Sequence, residues 1–213
     1  QGADPCGEVV ATGPGVGSDI LGRRVLADTW IRDPADPEDR DRAGYLGSER
    51  DGGFAQFCSV PAVNVHPVDS SISDVELASF PCSWSTAEHM LTRSRLRAGE
   101  TVVVTGASGG VGSALVQLAK LRAARVIAVA GSAKAGALIA LGADAVVDRA
   151  VDDLAGAVAE AAGGPIDVLA DVVGGPAFAP LLEVVRRGGR YTTAGAIAGP
   201  MVDLDLRTLY LND

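Results

Sequence analysis

The sequence predicts an α/β fold in which a doubly wound parallel sheet follows a β-rich segment. The pattern changes near residue 79, where short strands give way to strands that alternate with helices. One of these strands runs directly into a glycine-rich turn that opens a helix. We therefore expect two domains, residues 1–78 and residues 79–213.

The first segment has the pattern of β-structure. Its short apolar runs, at 8–12, 24–27 and 54–60, are separated by Gly and Pro residues. The intervening stretch 28–51 is dense in charge and contains Pro34 and Pro37. We expect that stretch to be a solvated loop.

The second segment predicts five strands, at 101–105, 125–130, 145–148, 167–173 and 190–194. Residues suited to begin helices after three of these strands are Ser132, Asp152 or Asp153, and Pro176. Gly142, Gly163 and Gly188 are suited to end those helices, Gly188 in the left-handed conformation. A complete dinucleotide-binding sheet has the strand order 3-2-1-4-5-6, so we expect the sixth strand to lie beyond this chain.

Composition and charge restrict the possible partners. The 213 residues are 47% apolar and 21% charged, and a balance of 18 Lys plus Arg against 27 Asp plus Glu gives a net charge of -9. That charge repels phosphate backbones and anionic membrane surfaces, so neither nucleic acid nor a membrane is an expected partner. Cys6, Cys58 and Cys82 lie far apart and indicate neither a disulfide framework nor a structural zinc site, which favours the cytoplasm.

The glycine-rich turn matches a dinucleotide-binding fingerprint, Ala107-x-Gly109-x-x-Gly112, with Ala in the first position. In this interpretation Gly109 lets the backbone approach the pyrophosphate, and Gly112 allows the helix to pack closely on the strand. The helix N-terminus offers N–H groups to the anion. The residues predicted to contact the cofactor here are Ala107, Ser108, Gly109, Gly110, Val111 and Gly112. A turn that serves packing alone is the alternative.

Two other enzyme classes share parts of this motif. Gly-x-Ser-x-Gly would make Ser108 a hydrolase nucleophile, but His66 and His89 both precede it, which is the wrong order for that catalytic triad. Thr105-Gly106-x-x-x-Gly110-x-Gly112 looks like the short-chain dehydrogenase motif, yet no Tyr in this chain has a Lys four residues later. We reject both.

The end of the second strand favours NADP over NAD. NAD-preferring sites place a carboxylate about 20 residues beyond the turn to bind the ribose hydroxyls. Residues 126–134 contain no carboxylate, whereas Ser132 and Lys134 can bind a 2′-phosphate. In the alternative interpretation Ser132 only caps a helix and Lys134 is a solvated surface residue.

Taken together, the motifs resemble the medium-chain dehydrogenase/reductase superfamily, and in particular its zinc-free, quinone-oxidoreductase-like branch. The matching segments run almost end to end, at 2–10, 22–25, 51–55, 86–87, 106–112, 141–144, 171–175 and 188–195. The resemblance implies a GroES-like β-rich catalytic domain, incomplete here, followed by a Rossmann domain, with the active site in a cleft between them. It also implies that this chain is the middle part of a longer protein and that the complete protein is a homodimer.

The resemblance also assigns further cofactor residues. It places Thr86 near the nicotinamide, the backbone of Gly110 and Val111 on the pyrophosphate, and Val173, Ala194 and Gly195 along the nicotinamide. Arg149 occupies a position close to the 2′-phosphate, where a guanidinium can make a bidentate contact. Arg149 as a plain surface residue is an equal alternative.

Zinc separates the two main branches of the family. Zinc-dependent members have Gly-His-Glu where this chain has Gly2-Ala3-Asp4, so Ala3 replaces a histidine ligand. Cys82 stands at another ligand position, but one cysteine does not hold a catalytic zinc. We expect no metal, with Cys82 as a buried small residue, although Asp4 and residues upstream of this chain leave a zinc site open.

The resulting functional prediction is hydride transfer from NADPH to a quinone, or to an activated enone or carbonyl, without zinc. Such acceptors are electrophilic enough to react when the cofactor holds its hydride close to them in a dry cleft. Tyr45 and His66 can donate protons, but their spacing does not place them at the nicotinamide, so no catalytic residue is predicted. A zinc-dependent alcohol dehydrogenase and a non-catalytic NADPH-binding protein are the alternatives.

Overall fold

The computed structural model describes residues 1–211 of the chain. The chain divides into two compact units, of which the first is Gln1–Ser85 and the second begins at Thr86. The domain boundary expected at residues 78 and 79 stays a prediction. None of the helices in the described residues is both long enough and apolar enough to cross a membrane.

The first unit contains two small antiparallel sheets. The strands are β1 (Cys6–Glu8), β2 (Arg24–Ala27), β3 (Trp30–Ile31), β4 (Gly44–Tyr45) and β5 (Val65–Pro67). One sheet has the order β1-β2-β5, and the other joins β3 to β4. A short helix, α1 (Asp74–Leu77), follows, and the side chains of Ser73 and Glu76 cap it reciprocally. The helix α2 (Ser83–Arg93) begins in this unit and ends in the next.

Three expectations about this unit are corrected. The run 54–60 forms no strand, because within the described residues no backbone hydrogen bond pairs 55–60 with a neighbouring strand. The run 8–12 contributes only Glu8 to a strand. The stretch 28–51 is not simply a solvated loop, because it contains β3 and β4. Within it the rings of Trp30 and Tyr45 pack 4.5 Å apart and Leu46 is buried.

The second unit is a five-stranded parallel sheet with helices between the strands. Its strands are β6 (Thr101–Val104), β7 (Arg125–Ala130), β8 (Ala145–Asp148), β9 (Ile166–Asp171) and β10 (Val185–Thr193). The helices are α3 (Gly110–Leu121), α4 (Ala135–Ala140), α5 (Leu154–Ala162), α6 (Phe178–Glu183) and α7 (Leu206–Leu211). The strand order β10-β9-β6-β7-β8 is the expected order 3-2-1-4-5 read from the opposite edge. The predicted α/β fold is confirmed.

The core of this unit lies on both faces of the sheet. Val102 and Val103 are both buried, although successive side chains of a strand point to opposite faces. On one face the strand residues Val103, Ile127 and Leu169 pack in one cluster with helix residues that include Val158. Burial on both faces explains why these strands are continuous apolar runs.

Most of the predicted helix boundaries are confirmed. Asp153 caps α5, since its carboxylate accepts the N–H of Gly156 at 2.8 Å, and Gly163 ends that helix with φ +61°. Pro176 lies in the short 3-10 turn Gly175–Ala177 that precedes α6.

Two helix predictions are wrong. Ser132 is not a cap, because Ser132–Lys134 is a turn of 3-10 helix whose start has no side-chain hydrogen bond. Gly188 does have φ +67°, but it lies inside β10, where the pairing with β9 shifts, and not at the end of α6. A left-handed glycine serves a β-bulge as well as a helix end, so the sequence did not separate the two.

Candidate dinucleotide-binding site

Except for Thr86, the predicted cofactor residues of the second unit lie along the carboxyl edge of its sheet. The N–H of Ala107 donates to the carbonyl of Val129 at 3.1 Å, which sets the glycine-rich turn beside the end of β7. The N–H of Arg149 donates to the carbonyl of Ala130 at 2.9 Å, which sets the end of β8 beside the same strand. The strand order reverses between β6 and β9, and ligands of doubly wound sheets bind outside the strands at this reversal.

The glycine-rich turn leaves a row of backbone donors at the start of α3. Gly109 precedes the helix with an extended backbone, and Ser113 donates the first hydrogen bond of the helix to the carbonyl of Gly109 at 2.8 Å. The N–H groups of Gly110, Val111 and Gly112 have no acceptor among the described residues. Three such donors at the positive end of a helix dipole can bind an anion such as a phosphate.

The two glycines of the fingerprint have different surroundings. A Cβ on Gly112 would lie 2.2 Å from the carbonyl oxygen of Gly106 and 2.6 Å from Cα of Ala107. Gly112 is therefore required for the helix to pack on the turn. A Cβ on Gly109 would have its nearest protein atom, the oxygen of Gly106, at 3.4 Å. The fold thus tolerates a side chain at Gly109, so packing alone does not require glycine there.

Cationic side chains with no carboxylate partner lie at the end of β7 and β8. Ser132 and Lys134 are exposed in the 3-10 turn that follows β7, and Arg149 is exposed just after β8. Neither cation has an ion pair within the described part of the chain, and the hydroxyl of Ser132 caps no helix. This arrangement can bind a phosphate, as the sequence predicted for the 2′-phosphate of NADP.

The loops after β9 and β10 form the other half of the edge. The N–H of Ala194 donates to the carbonyl of Asp171 at 3.2 Å, and a Cβ on Gly195 would lie 2.8 Å from the carbonyl oxygen of Val172. Val173 is half-buried, and its carbonyl accepts the N–H of Ala198 at 2.9 Å. Val173, Ala194 and Gly195, predicted to line the nicotinamide, therefore lie together. Thr86 lies in α2, and no hydrogen bond in the described chain joins it to this edge.

A buried carboxylate at this edge was not identified from the sequence. Asp171 is 3% exposed and ends β9, where it accepts hydrogen bonds from the hydroxyls of Thr105 and Tyr191. Burial, together with the Asp171 carboxylate, raises the pKa of Tyr191 to about 12. A charged residue inside the apolar run 167–173 was the signal that could have found this cluster, because a buried carboxylate needs partners.

The described residues do not fit a catalytic zinc. Ala3 has no ligand atom, and the carboxylate of Asp4 accepts the N–H of Cys82 at 2.7 Å. Partial desolvation and the neighbouring Asp4 raise the pKa of the Cys82 thiol. Within residues 1–211 no group of three His, Cys, Asp or Glu side chains is placed to hold a metal. Cys82 is exposed, so its prediction as a buried residue is wrong.

Comparison with known proteins identifies the class. Residues 1–70 match the family model of the alcohol dehydrogenase GroES-like domain, and residues 110–213 match that of the zinc-binding dehydrogenases. A GroES-like domain followed by a dinucleotide-type sheet defines a dehydrogenase/reductase. The chain belongs to the medium-chain dehydrogenase/reductase superfamily, as the resemblance implied.

Relatives with close similarity include a curated protein and a solved structure. The acryloyl-coenzyme A reductase of Metallosphaera sedula is 32% identical over 98% of this chain and 63% of its own length. The structure of a putative alcohol dehydrogenase from Sinorhizobium meliloti 1021 is 54% identical, with a TM-score of 0.92 over 100% of this chain and 59% of its own. The chain thus spans about three fifths of the length of these relatives.

Two other solved relatives name their cofactors, and they differ. The 2-octenoyl-CoA carboxylase reductase CinF, in complex with NADP and 2-octenoyl-CoA, is 31% identical, with a TM-score of 0.89 over 99% of this chain and 54% of its own. An NAD-dependent alcohol dehydrogenase is 32% identical, with a TM-score of 0.91 over 99% of this chain and 64% of its own. The predicted cofactor NADP(H) agrees with the first of these relatives.

Proposed function

We propose that this protein is an NADPH-dependent reductase that transfers hydride to a carbon–carbon double bond conjugated to a carbonyl, with an enoyl thioester as the preferred substrate class. The observation that carries the proposal is the composition of the carboxyl edge. Three free N–H groups at the start of α3 suit the pyrophosphate, and Lys134 and Arg149 suit a 2′-phosphate.

The preference for NADPH follows from charge. No carboxylate occurs between residues 126 and 134, so nothing there repels a 2′-phosphate or accepts hydrogen bonds from the ribose hydroxyls of NAD. An exposed cation about 4 Å from a phosphate contributes roughly 1 to 4 kcal/mol. Together Lys134, Arg149 and the free hydroxyl of Ser132 support a cofactor preference of at least about tenfold.

The substrate class rests on the relatives and on the chemistry of the acceptor. Acryloyl-coenzyme A and 2-octenoyl-CoA are both enoyl thioesters, and they appear in the names of two relatives that are about one third identical to this chain. The carbonyl of an enoyl thioester draws electron density from the β-carbon, which therefore accepts hydride without a Lewis acid. A quinone or a simple enone has the same property, so hydride transfer requires the acceptor to be bound close to the nicotinamide. The enolate or hydroquinone anion that results takes its proton from water.

In this proposal the chain has three tasks. The turn 106–112 binds the pyrophosphate, the end of β7 and β8 binds the adenosine phosphate, and the loops after β9 and β10 orient the nicotinamide. NADPH supplies the hydride. Because Asp4 and Cys82 do not suffice to bind zinc, the proposal contains no metal-dependent step.

A zinc-dependent alcohol dehydrogenase is the second candidate. The match of residues 110–213 to the zinc-binding dehydrogenases favours it. It requires ligands that residues 1–211 do not supply together, and its activity depends on metal.

The test is NADPH oxidation by the protein with an enoyl thioester, a quinone and an aldehyde as separate acceptors, before and after exhaustive chelation. We expect the fastest turnover with the enoyl thioester, equal rates after chelation, and much slower turnover with NADH. Turnover of the aldehyde alone, lost on chelation and restored by zinc, would establish the second candidate. NADPH binding without turnover of any acceptor would indicate a non-catalytic protein.

Lys134→Ala and Arg149→Ala test the predicted preference for NADPH over NADH. Each should raise the KM for NADPH about tenfold and leave the KM for NADH unchanged, because NADH has no 2′-phosphate. Arg97→Ala is a matched control, since Arg97 is an exposed arginine before β6, at the opposite end of the sheet, and its side chain has no hydrogen bond or ion pair within the described residues. An equal effect of all three variants would show that net charge, and not a phosphate site, is responsible.

A further inference from the structure

The Asp171 cluster consists of Asp171, Thr105 and Tyr191, and it links three strands at the carboxyl edge. The hydroxyl of Thr105, at the end of β6, donates to Oδ1 of Asp171 at the end of β9, and the hydroxyl of Tyr191, in β10, donates to Oδ2 at 3.0 Å. Asp171 and Thr105 are both almost fully buried, with 3% exposure each. All these partners donate, so the cluster suits an ionised carboxylate, which only accepts.

The same cluster binds the backbone of the loop after β9. The N–H of Val173 donates to Oδ1 of Asp171 at 2.9 Å, and the N–H of Gly174 lies 3.2 Å from both carboxylate oxygens. The N–H of Val172 donates to the hydroxyl oxygen of Thr105 at 3.1 Å. Three consecutive backbone donors are therefore held by two side chains.

The position of this loop explains what the cluster is for. Thr105 immediately precedes Gly106, where a Cβ would touch the side chains of Val172 and Val173 at 2.7 and 3.1 Å. Thr105 thus connects the glycine-rich turn to the loop that lines the nicotinamide in the proposed function. A buried carboxylate with four donors is a rigid arrangement, because moving any one donor leaves the carboxylate underpaired in a poorly solvated site.

We propose that Asp171 is a positioning residue that holds the backbone of 172–174, directly and through Thr105, in the conformation that orients the nicotinamide of NADPH. Tyr191 contributes by holding Oδ2 of the carboxylate. The inference rests on the proposed function, since it assumes that NADPH binds along this edge. Asp171 does not need to touch the cofactor. Its effect is confined to the nicotinamide half, because the adenosine half lies at β7 and β8, on the other side of β6.

The experiment compares Thr105→Val, Thr105→Ser and Tyr191→Phe with the wild type. Valine has the shape of threonine but lacks the hydroxyl, whereas serine keeps it. Phenylalanine keeps the ring of Tyr191, which packs edge-on against Phe178 at 5.2 Å, and removes only the donor. Each protein is titrated with NADPH and with 2′,5′-ADP, which contains only the adenosine half, and the fluorescence of bound NADPH reports on the nicotinamide environment.

We expect Thr105→Val and Tyr191→Phe to weaken NADPH binding about fivefold and to change its bound fluorescence, with 2′,5′-ADP binding unchanged. Thr105→Ser should behave as the wild type. Equal weakening of both ligands, or no change in either, would overturn the positioning role and leave the proposed function standing. A wild type that binds neither ligand would instead overturn the proposed function, and the inference with it.

Discussion

Separate substitutions of the two fingerprint glycines should have different effects: alanine at Gly112 should lower stability, and alanine at Gly109 should weaken cofactor binding. In Gly112→Ala the new methyl group would lie 2.2 Å from the carbonyl oxygen of Gly106 and 2.6 Å from Cα of Ala107. Both neighbours are backbone atoms, so α3 must shift by about 1 Å to restore van der Waals distances. Such overpacking typically costs about 1 to 3 kcal/mol, and the better helix propensity of alanine returns at most about 1 kcal/mol.

Gly109→Ala should leave folding intact. Gly109 has φ −81° and ψ 175°, which any residue adopts, and its Cβ would lie 3.4 Å from the nearest protein atom. The free energy of unfolding should therefore change by less than about 0.5 kcal/mol. NADPH binding should weaken by at least about tenfold, because the methyl group would occupy space that the pyrophosphate needs beside the N–H donors.

Urea unfolding of both variants without cofactor, followed by NADPH titration, measures the two effects. We expect the unfolding midpoint to fall only for Gly112→Ala and the affinity to fall for Gly109→Ala at unchanged stability. A Gly112→Ala protein as stable as the wild type would refute the packing argument. A Gly109→Ala protein that binds NADPH as tightly as the wild type would refute the assignment of this turn to the pyrophosphate.

Two further predictions concern stability. The pKa of Tyr191 is raised from 10.0 to about 12, so its stabilising contribution is present below pH 10 and is lost as the pH rises through 12. In urea unfolding across this pH range, the free energy of unfolding of the wild type should fall by about 1 kcal/mol more than that of Tyr191→Phe. This value is smaller than the full pKa shift implies because the ring is partly exposed to solvent. An equal fall in the two proteins would contradict the prediction. Asp153→Ala removes the cap of α5 and should lower the free energy of unfolding by about 1 kcal/mol, whereas Asp152→Ala, the neighbouring control, should not. Equal losses for these two aspartates would show that charge, and not the cap, stabilises the helix.

The local pattern of the sequence was sufficient for the architecture of the second unit. The strands β7 and β8 have the bounds that were predicted, and the glycine-rich turn lies between β6 and α3 as expected. These features depend on residues close together in the chain, whose apolar spacing and turn chemistry determine the local conformation. The same is true of Asp153 and Gly163 at the ends of α5.

Pairing over long distances in the chain was decided by the tertiary structure. The run 54–60 has the composition of a strand, but a strand also needs a neighbour for its hydrogen bonds, and composition does not report one. Ser132 has the chemistry of a helix cap, yet the 3-10 turn leaves its hydroxyl free.

The Asp171 cluster shows most directly the difference between what local sequence pattern determines and what the tertiary structure determines. Asp171 lies 66 residues from Thr105 and 20 from Tyr191, so no local pattern connects the three side chains. The parallel sheet brings them together because β6, β9 and β10 are adjacent and their carboxyl ends share one edge. The sequence by itself determined the strands, the turn and the chemistry available at that edge. Only the sheet determined which side chains meet there, because the hydrogen bonds of a buried carboxylate come from strands that are distant in the chain.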